Sequence, residues 1–390
     1  MSKSTRSRRR ARSVAALAGS VTALSLLLTA CGGGKSDSAK SATAADTAGI
    51  TAAKTAAETY RTAPTSIGVT KPVGKPIPTG KTIVNIGAGP GGLGTIIMQN
   101  EMAKAVGLLG WKLKFIQPQA PTPQLFQQAL DQAIALHPDA VLINTVEVAP
   151  VANQLAKLKA AHIPVISNTA PDPSGGPIVM QIYGVDALGQ LATAIADKIL
   201  ADMGKPGTIG IADIQGYTII NRYVEVFKRE IGKRCPSCEL VTTAVSAASL
   251  GTTAGSDITN FVRAHSGMDA LFVGYDGMGT NLFSAARSAG VTLPKTYSLA
   301  PAPASIPSLA DGQLTASAAF DQGEEGWRTL DALARVFTGQ TDSALEQDAK
   351  YPRPMVWSKS FGNVPAKPSG NTFPDVVGNY RDQYKKLWGK

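Results

Sequence analysis

Hydrophobic and polar positions follow two alternating periods along residues 81–340. Short apolar runs bounded by glycine, proline or polar residues predict buried strands, and apolar residues three and four positions apart predict helices. The predicted strands cover residues 83–86, 113–116, 140–143, 165–167, 178–183, 208–212, 239–245, 270–273 and 315–319. The predicted helices cover residues 96–109, 124–136, 149–161, 188–203, 219–231, 256–264 and 279–289. This alternation predicts an α/β fold with two doubly wound parallel-sheet lobes in series.

The first 30 residues have a different pattern. Residues 1–12 contain six basic and no acidic residues, and an apolar run, residues 14–30, leads to Leu28-Thr29-Ala30-Cys31. This arrangement resembles the signal peptide and lipobox of bacterial lipoprotein precursors. The alternative is a transmembrane anchor, but 17 apolar residues are short for a membrane span. We therefore expect residues 1–30 to be removed and Cys31 to carry lipid, which anchors the protein on the extracytoplasmic face of the cell membrane. Sec and twin-arginine export both stay open.

Removal of this segment changes the charge balance. Residues 1–30 hold six of the 38 Lys and Arg residues and none of the 28 Asp and Glu residues, so the net charge falls from +10 to +4. A nucleic-acid partner is not expected at that charge. Residues 31–80 are rich in Ala, Ser, Thr, Lys and Gly, and we predict a flexible tether there, with residues 47–60 helical.

The first predicted strand runs into a glycine loop that fits G-x-G-x-x-G through Gly87, Gly89 and Gly92. This motif is typical of FAD and NAD sites, where an acidic residue about 20 positions on binds the ribose. Gln117 stands where that acid is needed. The alternative interpretation is a tight turn from strand to helix at the ligand-binding edge of the sheet.

Five short motifs, in order, resemble the periplasmic-binding-protein type 1 fold of sugar-class solute-binding proteins from ABC importers, including ribose binders. They are His137-Pro138-Asp139-Ala140-Val141-Leu142-Ile143, Ala161-His162-Ile163-Pro164-Val165-Ile166, Met268-Asp269-Ala270-Leu271-Phe272 with Asp276, Ala289-Gly290-Val291, and Leu309-Ala310-Asp311-Gly312-Gln313-Leu314. The resemblance covers roughly residues 83–339. It implies a monomer that binds a small molecule between two lobes and delivers it to an ABC permease.

The resemblance also implies a hinge of three crossovers, which we place near Val185, Phe320 and Gln340. Lobe 1 is then expected at residues 81–184 and 321–340, and lobe 2 at residues 185–320 and 341–360. Residues 361–390 form a C-terminal extension that either packs on a lobe or contacts the permease.

Catalytic patterns are scarce in this chain. His137, His162 and His265 are predicted at helix ends, no His/Cys/Asp group has metal-ligand spacing, and no Ser lies in a G-x-S-x-G elbow. We therefore expect no enzyme activity, no metal and no cofactor. Cys235 and Cys238 form a C-x-x-C, which in an exported chain predicts a small structural disulfide.

Ligands of open parallel sheets bind at the carboxyl ends of the strands, which identifies candidate binding residues. In lobe 1 they are Gly89, Pro90, Asn144, Glu147, Asn168 and Thr169. In lobe 2 and at a crossover they are Gln215, Tyr217, Asn221, Arg222, Tyr275, Asp276, Phe320 and Asp321.

Several of these positions depart from the sugar-binding pattern. Asn168-Thr169 replaces the usual Asp-Arg, Tyr275-Asp276 replaces Asn-Asp, and Phe320 replaces a Gln. Fewer polar partners leave the hydroxyls of a polyol unpaired. We expect a small aromatic, cyclic or partly apolar solute held by Tyr217, Tyr275 and Phe320, and oriented by Asn144, Asn168 and Asp276. Two other functions stay open, a secreted FAD- or NAD-dependent oxidoreductase and a ligand-sensing receptor subunit.

Overall fold

The computed structural model describes residues 42–89, 93–173, 175–176, 178–342, 350–367 and 372–390. The predicted lipidation site Cys31 and the candidate binding residue Pro90 lie outside these residues. In the described part of the chain, no helix is long and apolar enough to cross a membrane. No group of His, Cys, Asp and Glu side chains there is arranged to hold a metal ion.

Lobe 1 is built on a parallel sheet of five strands in the order β2-β1-β3-β4-β5. The strands are β1 (Thr82–Ile86), β2 (Lys112–Ile116), β3 (Ala140–Asn144), β4 (Val165–Asn168) and β5 (Ile178–Ile182). Helices α2 (Leu93–Val106), α3 (Pro123–Ala135) and α4 (Ala152–Ala160) connect successive strands. The strands β1 and β3 are buried almost throughout, as expected for central strands covered by helices on both faces.

Lobe 2 is built on a sheet of six strands in the order β11-β10-β9-β8-β6-β7. They are β6 (Thr208–Gln215), β7 (Glu239–Ser246), β8 (Ala270–Val273), β9 (Lys295–Leu299), β10 (Ala316–Ala319) and β11 (Met355–Trp357). Only β11 is antiparallel, and it pairs with β10. The helices are α5 (Val185–Met203), α6 (Thr218–Arg234), α7 (Ala254–Ala264), α8 (Leu282–Ser288) and α9 (Ile306–Asp311). The two mainly parallel sheets confirm the predicted fold class.

The chain passes between the lobes after β5 and again after β10. After β5 it enters α5, which packs on the strands of lobe 2, and after β10 it returns in α10 (Gln322–Phe337), which packs on α2 of lobe 1. It then enters β11 in lobe 2 and ends with α11 (Tyr380–Leu387), which packs on α10.

The tether prediction is wrong for residues 44–80. Helix α1 (Ala44–Thr59) packs on α5 and α6, and its Ala53 and Ala57 are buried. The following segment lies against both lobes, since the amide of Val356 donates to the carbonyl of Tyr60 at 2.8 Å and the amide of Val73 donates to Leu387 at 2.9 Å. Small side chains allow this close helix packing, and alanine patterns give little hydrophobic signal in the sequence.

The C-terminal segment completes lobe 1. Trp388 stacks on Trp327 of α10 with ring centroids 5.3 Å apart, and its indole Nε1 donates to Asp331 Oδ1 at 2.9 Å. Of the two interpretations of residues 361–390, the structure therefore shows packing on a lobe for α11.

The C-x-x-C motif closes a turn between α6 and β7. Cys235 and Cys238 form a disulfide with Cα atoms 5.3 Å apart. The backbone amide of Ser237 in this turn donates to Asp46 of α1 at 3.0 Å, so the turn also attaches the N-terminal helix to lobe 2.

Candidate functional site

A cavity of about 110 Å³ lies between the lobes. Lobe 1 contributes α2 and the residues that follow β1, β3 and β4, whereas lobe 2 contributes α6 and the loops that follow β8 and β9. Phe320 and the first turn of α10 close the cavity on the hinge side. The cavity is therefore at the carboxyl ends of both sheets, where the sequence analysis expects the ligand.

Aromatic rings form much of the wall. Tyr217, Tyr223 and Tyr275 of lobe 2 and Phe320 of the crossover line the cavity, together with aliphatic side chains of α2, α5 and α6. The Tyr223 hydroxyl donates to the Gly274 carbonyl at 2.9 Å. Burial raises the pKa of Tyr217 and Tyr275, so both phenols are neutral at physiological pH. The wall offers ring faces and few polar groups.

Three lining residues that directly follow strands have left-handed backbone conformations. These are Thr145 after β3 (φ 58°), Thr169 after β4 (φ 47°) and Ala300 after β9 (φ 54°). A β-branched residue is strained at positive φ, and surrounding structure must hold it there. The amides of Thr145 and Thr169 donate to the neighbouring strand carbonyls of Asn168 and Ile182, each at 2.9 Å. These bonds fix the backbone that faces the cavity.

The first turn of α10 brings two polar side chains to the cavity, Gln322 and Glu325. Asp321 caps this helix by accepting from the amides of Gly323 and Glu324 at 3.0 and 2.9 Å. Glu325 is 4 % exposed, and its Oε1 has no hydrogen-bond partner among the described residues. Burial, with a smaller contribution from Glu324, raises the pKa of Glu325 to about 8. The carboxyl group is therefore mostly protonated at neutral pH.

Four of the predicted binding residues line the cavity, namely Thr169, Tyr217, Tyr275 and Phe320. The three residues expected to orient the ligand do not. Asn144 donates to Asn85 Oδ1 at 2.7 Å, Asn168 accepts from Thr329 at 3.0 Å, and Asp276 accepts from Ser298 and from the amide of Ala302, both at 2.9 Å. Each of these polar groups satisfies a buried partner within the protein.

Among the described residues, the remaining predicted binding residues also lie outside the cavity lining. Asn221 donates to Asp213 and to the carbonyl of Ile214 at 2.8 and 2.7 Å, and Asp321 accepts from the amides of Val376 and Val377 in addition to capping α10. Gly89 (φ 89°) turns the chain beside Pro121. Glu147, Gln215 and Arg222 are exposed. Glu147 accepts a hydrogen bond from Thr218, which joins lobe 1 to lobe 2.

Sequence reasoning missed several lining residues. Thr145 and Ala300 each follow a strand directly, so the strand-end rule alone points to them. Tyr223 and Glu325 lie inside helices, and Thr95 lies on α2, where no sequence signal separates a lining position from a core position. The Gly87 turn has a packing reason, because a Cβ atom there would lie 2.0 Å from the Gln117 side chain. Gln117 thus fills space beside the loop.

The two parallel-sheet lobes and the cavity between them define a two-lobed solute-binding protein. Comparison with protein families then gives a match of residues 94–341 to the periplasmic binding protein domain, and the chain belongs to that family. The family is non-enzymatic and extracytoplasmic, which confirms the expectation of no enzyme activity. A comparison with curated protein sequences finds no significant match.

Solved structures share the fold. An ABC sugar transporter subunit from Rhodobacter sphaeroides is 19 % identical, with a TM-score of 0.57 over 67 % of this chain and 93 % of its own. An ABC transporter solute-binding protein from Agrobacterium vitis, bound to α-D-tagatopyranose, is 19 % identical, with a TM-score of 0.61 over 74 % and 97 %. One from Mycobacterium smegmatis with bound glycerol is 16 % identical, with a TM-score of 0.61 over 76 % and 100 %. These similarities support the predicted periplasmic-binding-protein type 1 fold.

Proposed function

We propose that this protein is a lipid-anchored solute receptor that binds a small, partly apolar molecule between its lobes and delivers it to an ABC permease. The observation that carries the proposal is the aromatic cavity at the carboxyl ends of both sheets. Family membership supports solute binding, and the lipobox at Cys31 supports anchoring on the extracytoplasmic face.

The similar structures favour a sugar or a polyol as the second candidate ligand, since those proteins bind α-D-tagatopyranose and glycerol. The cavity of this chain favours a less hydroxylated molecule. Each buried hydroxyl without a partner costs about 1–3 kcal/mol. Asn144 donates to Asn85, Asn168 accepts from Thr329 and Asp276 accepts from Ser298, and none of the three residues lines the cavity.

A thermal-shift screen tests the ligand class directly. The full chain is screened against common monosaccharides, cyclic alcohols, nucleosides and aromatic acids, and a partly apolar ring compound is expected to give the largest shift. Phe320→Ala removes a cavity wall and is expected to abolish most of that shift. Phe283→Ala removes a half-buried ring outside the cavity and serves as the matched control. Tight binding of an ordinary aldose that Phe320→Ala leaves unchanged contradicts the proposed ligand class.

Anchoring and transport need separate measurements. Cys31→Ala is expected to release the protein from the membrane fraction of the producing cells. A transporter is expected to be encoded beside a permease and an ATPase, whereas a sensor subunit is expected beside a membrane receptor. Full membrane retention of the Cys31→Ala protein contradicts the lipid anchor.

A further inference from the structure

We propose that the ligand is a small organic ammonium compound with an apolar body, and that Glu325 pairs with its charged nitrogen. This inference rests on the proposed function, because it places the ligand in the cavity between the lobes. Its first support is the unpaired Oε1 of Glu325, a side chain that is 4 % exposed and lines the cavity. A buried polar atom without a partner is rare and costly, so a bound partner for it is expected.

No cation of the protein is available for this role. Among the described residues that line the cavity, none is Lys, Arg or His. The nearest buried cation along α10, Arg328, pairs with Glu324 at 3.0 Å. Glu324 also accepts from the Tyr183 hydroxyl at 2.8 Å and from the Tyr384 hydroxyl at 2.5 Å, so its carboxylate is fully used. Glu325 is therefore the one ionisable carboxyl of the described cavity lining.

The rest of the wall suits a cation as well. Tyr217, Tyr223, Tyr275 and Phe320 surround the same cavity, and aromatic faces attract ammonium groups in places from which water is excluded. An anionic ligand is disfavoured, because the described cavity lining presents aromatic ring faces and an acidic side chain but no positively charged group. The cavity of about 110 Å³ is smaller than a cavity of about 150 Å³ that holds benzene, so it limits the ligand to a small molecule.

The protonation equilibrium of Glu325 does not oppose this pairing. Because the pKa of Glu325 is about 8, only about one molecule in ten is ionised at pH 7, which lowers the binding constant for a cation about tenfold. A charge-assisted hydrogen bond from an ammonium group offsets a cost of that size. In the absence of such a ligand the neutral acid is the stable form, which avoids a buried charge.

Three probes with the same ring separate the possibilities, namely cyclohexylamine, cyclohexanol and cyclohexanecarboxylate. Isothermal titration of the full chain at pH 7 is expected to show the amine binding about tenfold more tightly than the alcohol. The carboxylate is expected to show no measurable binding. Equal affinities for amine and alcohol, or the tightest binding by the carboxylate, overturn the ammonium proposal while leaving the cavity as a binding site. No binding of any probe contradicts both the ammonium proposal and the proposed function.

Variants then assign the interaction to its residue. Glu325→Gln keeps the shape of the side chain and is expected to weaken amine binding about tenfold while changing alcohol binding less than about twofold. Tyr217→Leu keeps an apolar wall, and it is expected to weaken the amine more than the alcohol because the ring face is lost. Glu225→Gln, on the exposed face of α6, is the control for loss of one negative charge. Unchanged amine affinity in folded Glu325→Gln protein overturns the proposal.

Discussion

Glu325 places a carboxyl group where surrounding side chains are mostly apolar, and this residue links stability to recognition. Folding moves the group from water into the cavity wall, which raises its pKa from 4.5 to about 8. The folded protein therefore holds a proton that the unfolded chain releases across this pH range. The resulting contribution to stability is largest below pH 4.5 and is lost as the pH rises towards 8.

Glu325→Gln removes this titration and gives a prediction at the residue scale. Because the variant has no carboxyl to ionise, its stability relative to the wild type is expected to rise by roughly 3–4 kcal/mol from pH 5 to pH 8. Urea unfolding of both proteins at the two pH values measures the change. A stability difference that is the same at pH 5 and pH 8 contradicts the assigned pKa.

Thr145 and Thr169 show a second feature at this scale. Both are β-branched residues at positive φ directly after lobe 1 strands, and both line the cavity. Threonine rarely adopts this backbone conformation, which glycine adopts at lower cost. The hydrogen bonds of both backbone amides to neighbouring strands hold the two residues in this conformation.

At the scale of elements, α1 is the largest difference between expectation and structure. Gly49 explains how closely this helix approaches α6, since a Cβ atom there would lie 1.9 Å from the carbonyl oxygen of Arg234. A free helix in a tether has no such neighbour. Adding a side chain at Gly49 is therefore expected to have opposite effects on the stability of a free helix and of a packed helix.

Gly49→Ala tests the packing of α1. In a free helix, alanine is expected to increase helix stability by about 1 kcal/mol, but the packed structure predicts a loss of about 1–3 kcal/mol through overpacking. Gly232→Ala in α6 is the matched control, because no atom lies within 4 Å of its added Cβ, and it is expected to stabilise the protein. Chemical denaturation of the three proteins measures both effects. Stabilisation by both substitutions contradicts the packing of α1.

The helix α10 connects the site to the added segments. Its Arg335 donates to the carbonyl of Lys71 at 2.5 Å, and its Asp331 accepts from the Trp388 indole. The N-terminal and C-terminal segments therefore both contact the helix whose first turn carries Glu325. These two contacts lie in the C-terminal half of α10, and at its cavity end Asp321 accepts from the amides of Val376 and Val377.

At the scale of the whole molecule, the two lobes meet across the cavity, where Thr218 of lobe 2 donates to Glu147 of lobe 1. Ligand binding between two hinged lobes favours the closed arrangement. We expect small-angle scattering to give a smaller radius of gyration when the tightest compound of the thermal-shift screen is added. A compound that gives no thermal shift is the control. An unchanged radius at saturation contradicts hinge closure.

Thr218→Val removes the interlobe hydrogen bond without entering the core. The variant is expected to bind more weakly and to have a larger radius of gyration without ligand, because the closed arrangement loses one contact. A radius equal to that of the wild type would show that this contact does not contribute to closure.

The sequence by itself determined the alternation of strands and helices, because buried strands and amphipathic helices leave periodic apolar patterns that need no knowledge of their partners. It also predicted binding residues at strand ends, and four of them, Thr169, Tyr217, Tyr275 and Phe320, line the cavity. Motifs in a fixed order, such as Ala161-His162-Ile163-Pro164, predicted the protein family, and the family match over residues 94–341 confirms that prediction.

Only the tertiary structure decided which polar residues remain for a ligand. Asn144, Asn168 and Asp276 stand at strand ends as expected, but each finds a partner distant in sequence, and local patterns carry no record of such pairing. Glu325 shows the reverse case, a helical acid that the packing of α10 brings into the cavity wall without a partner. The packing of α1 likewise depends on close contacts of small side chains, which a hydrophobic pattern does not reveal.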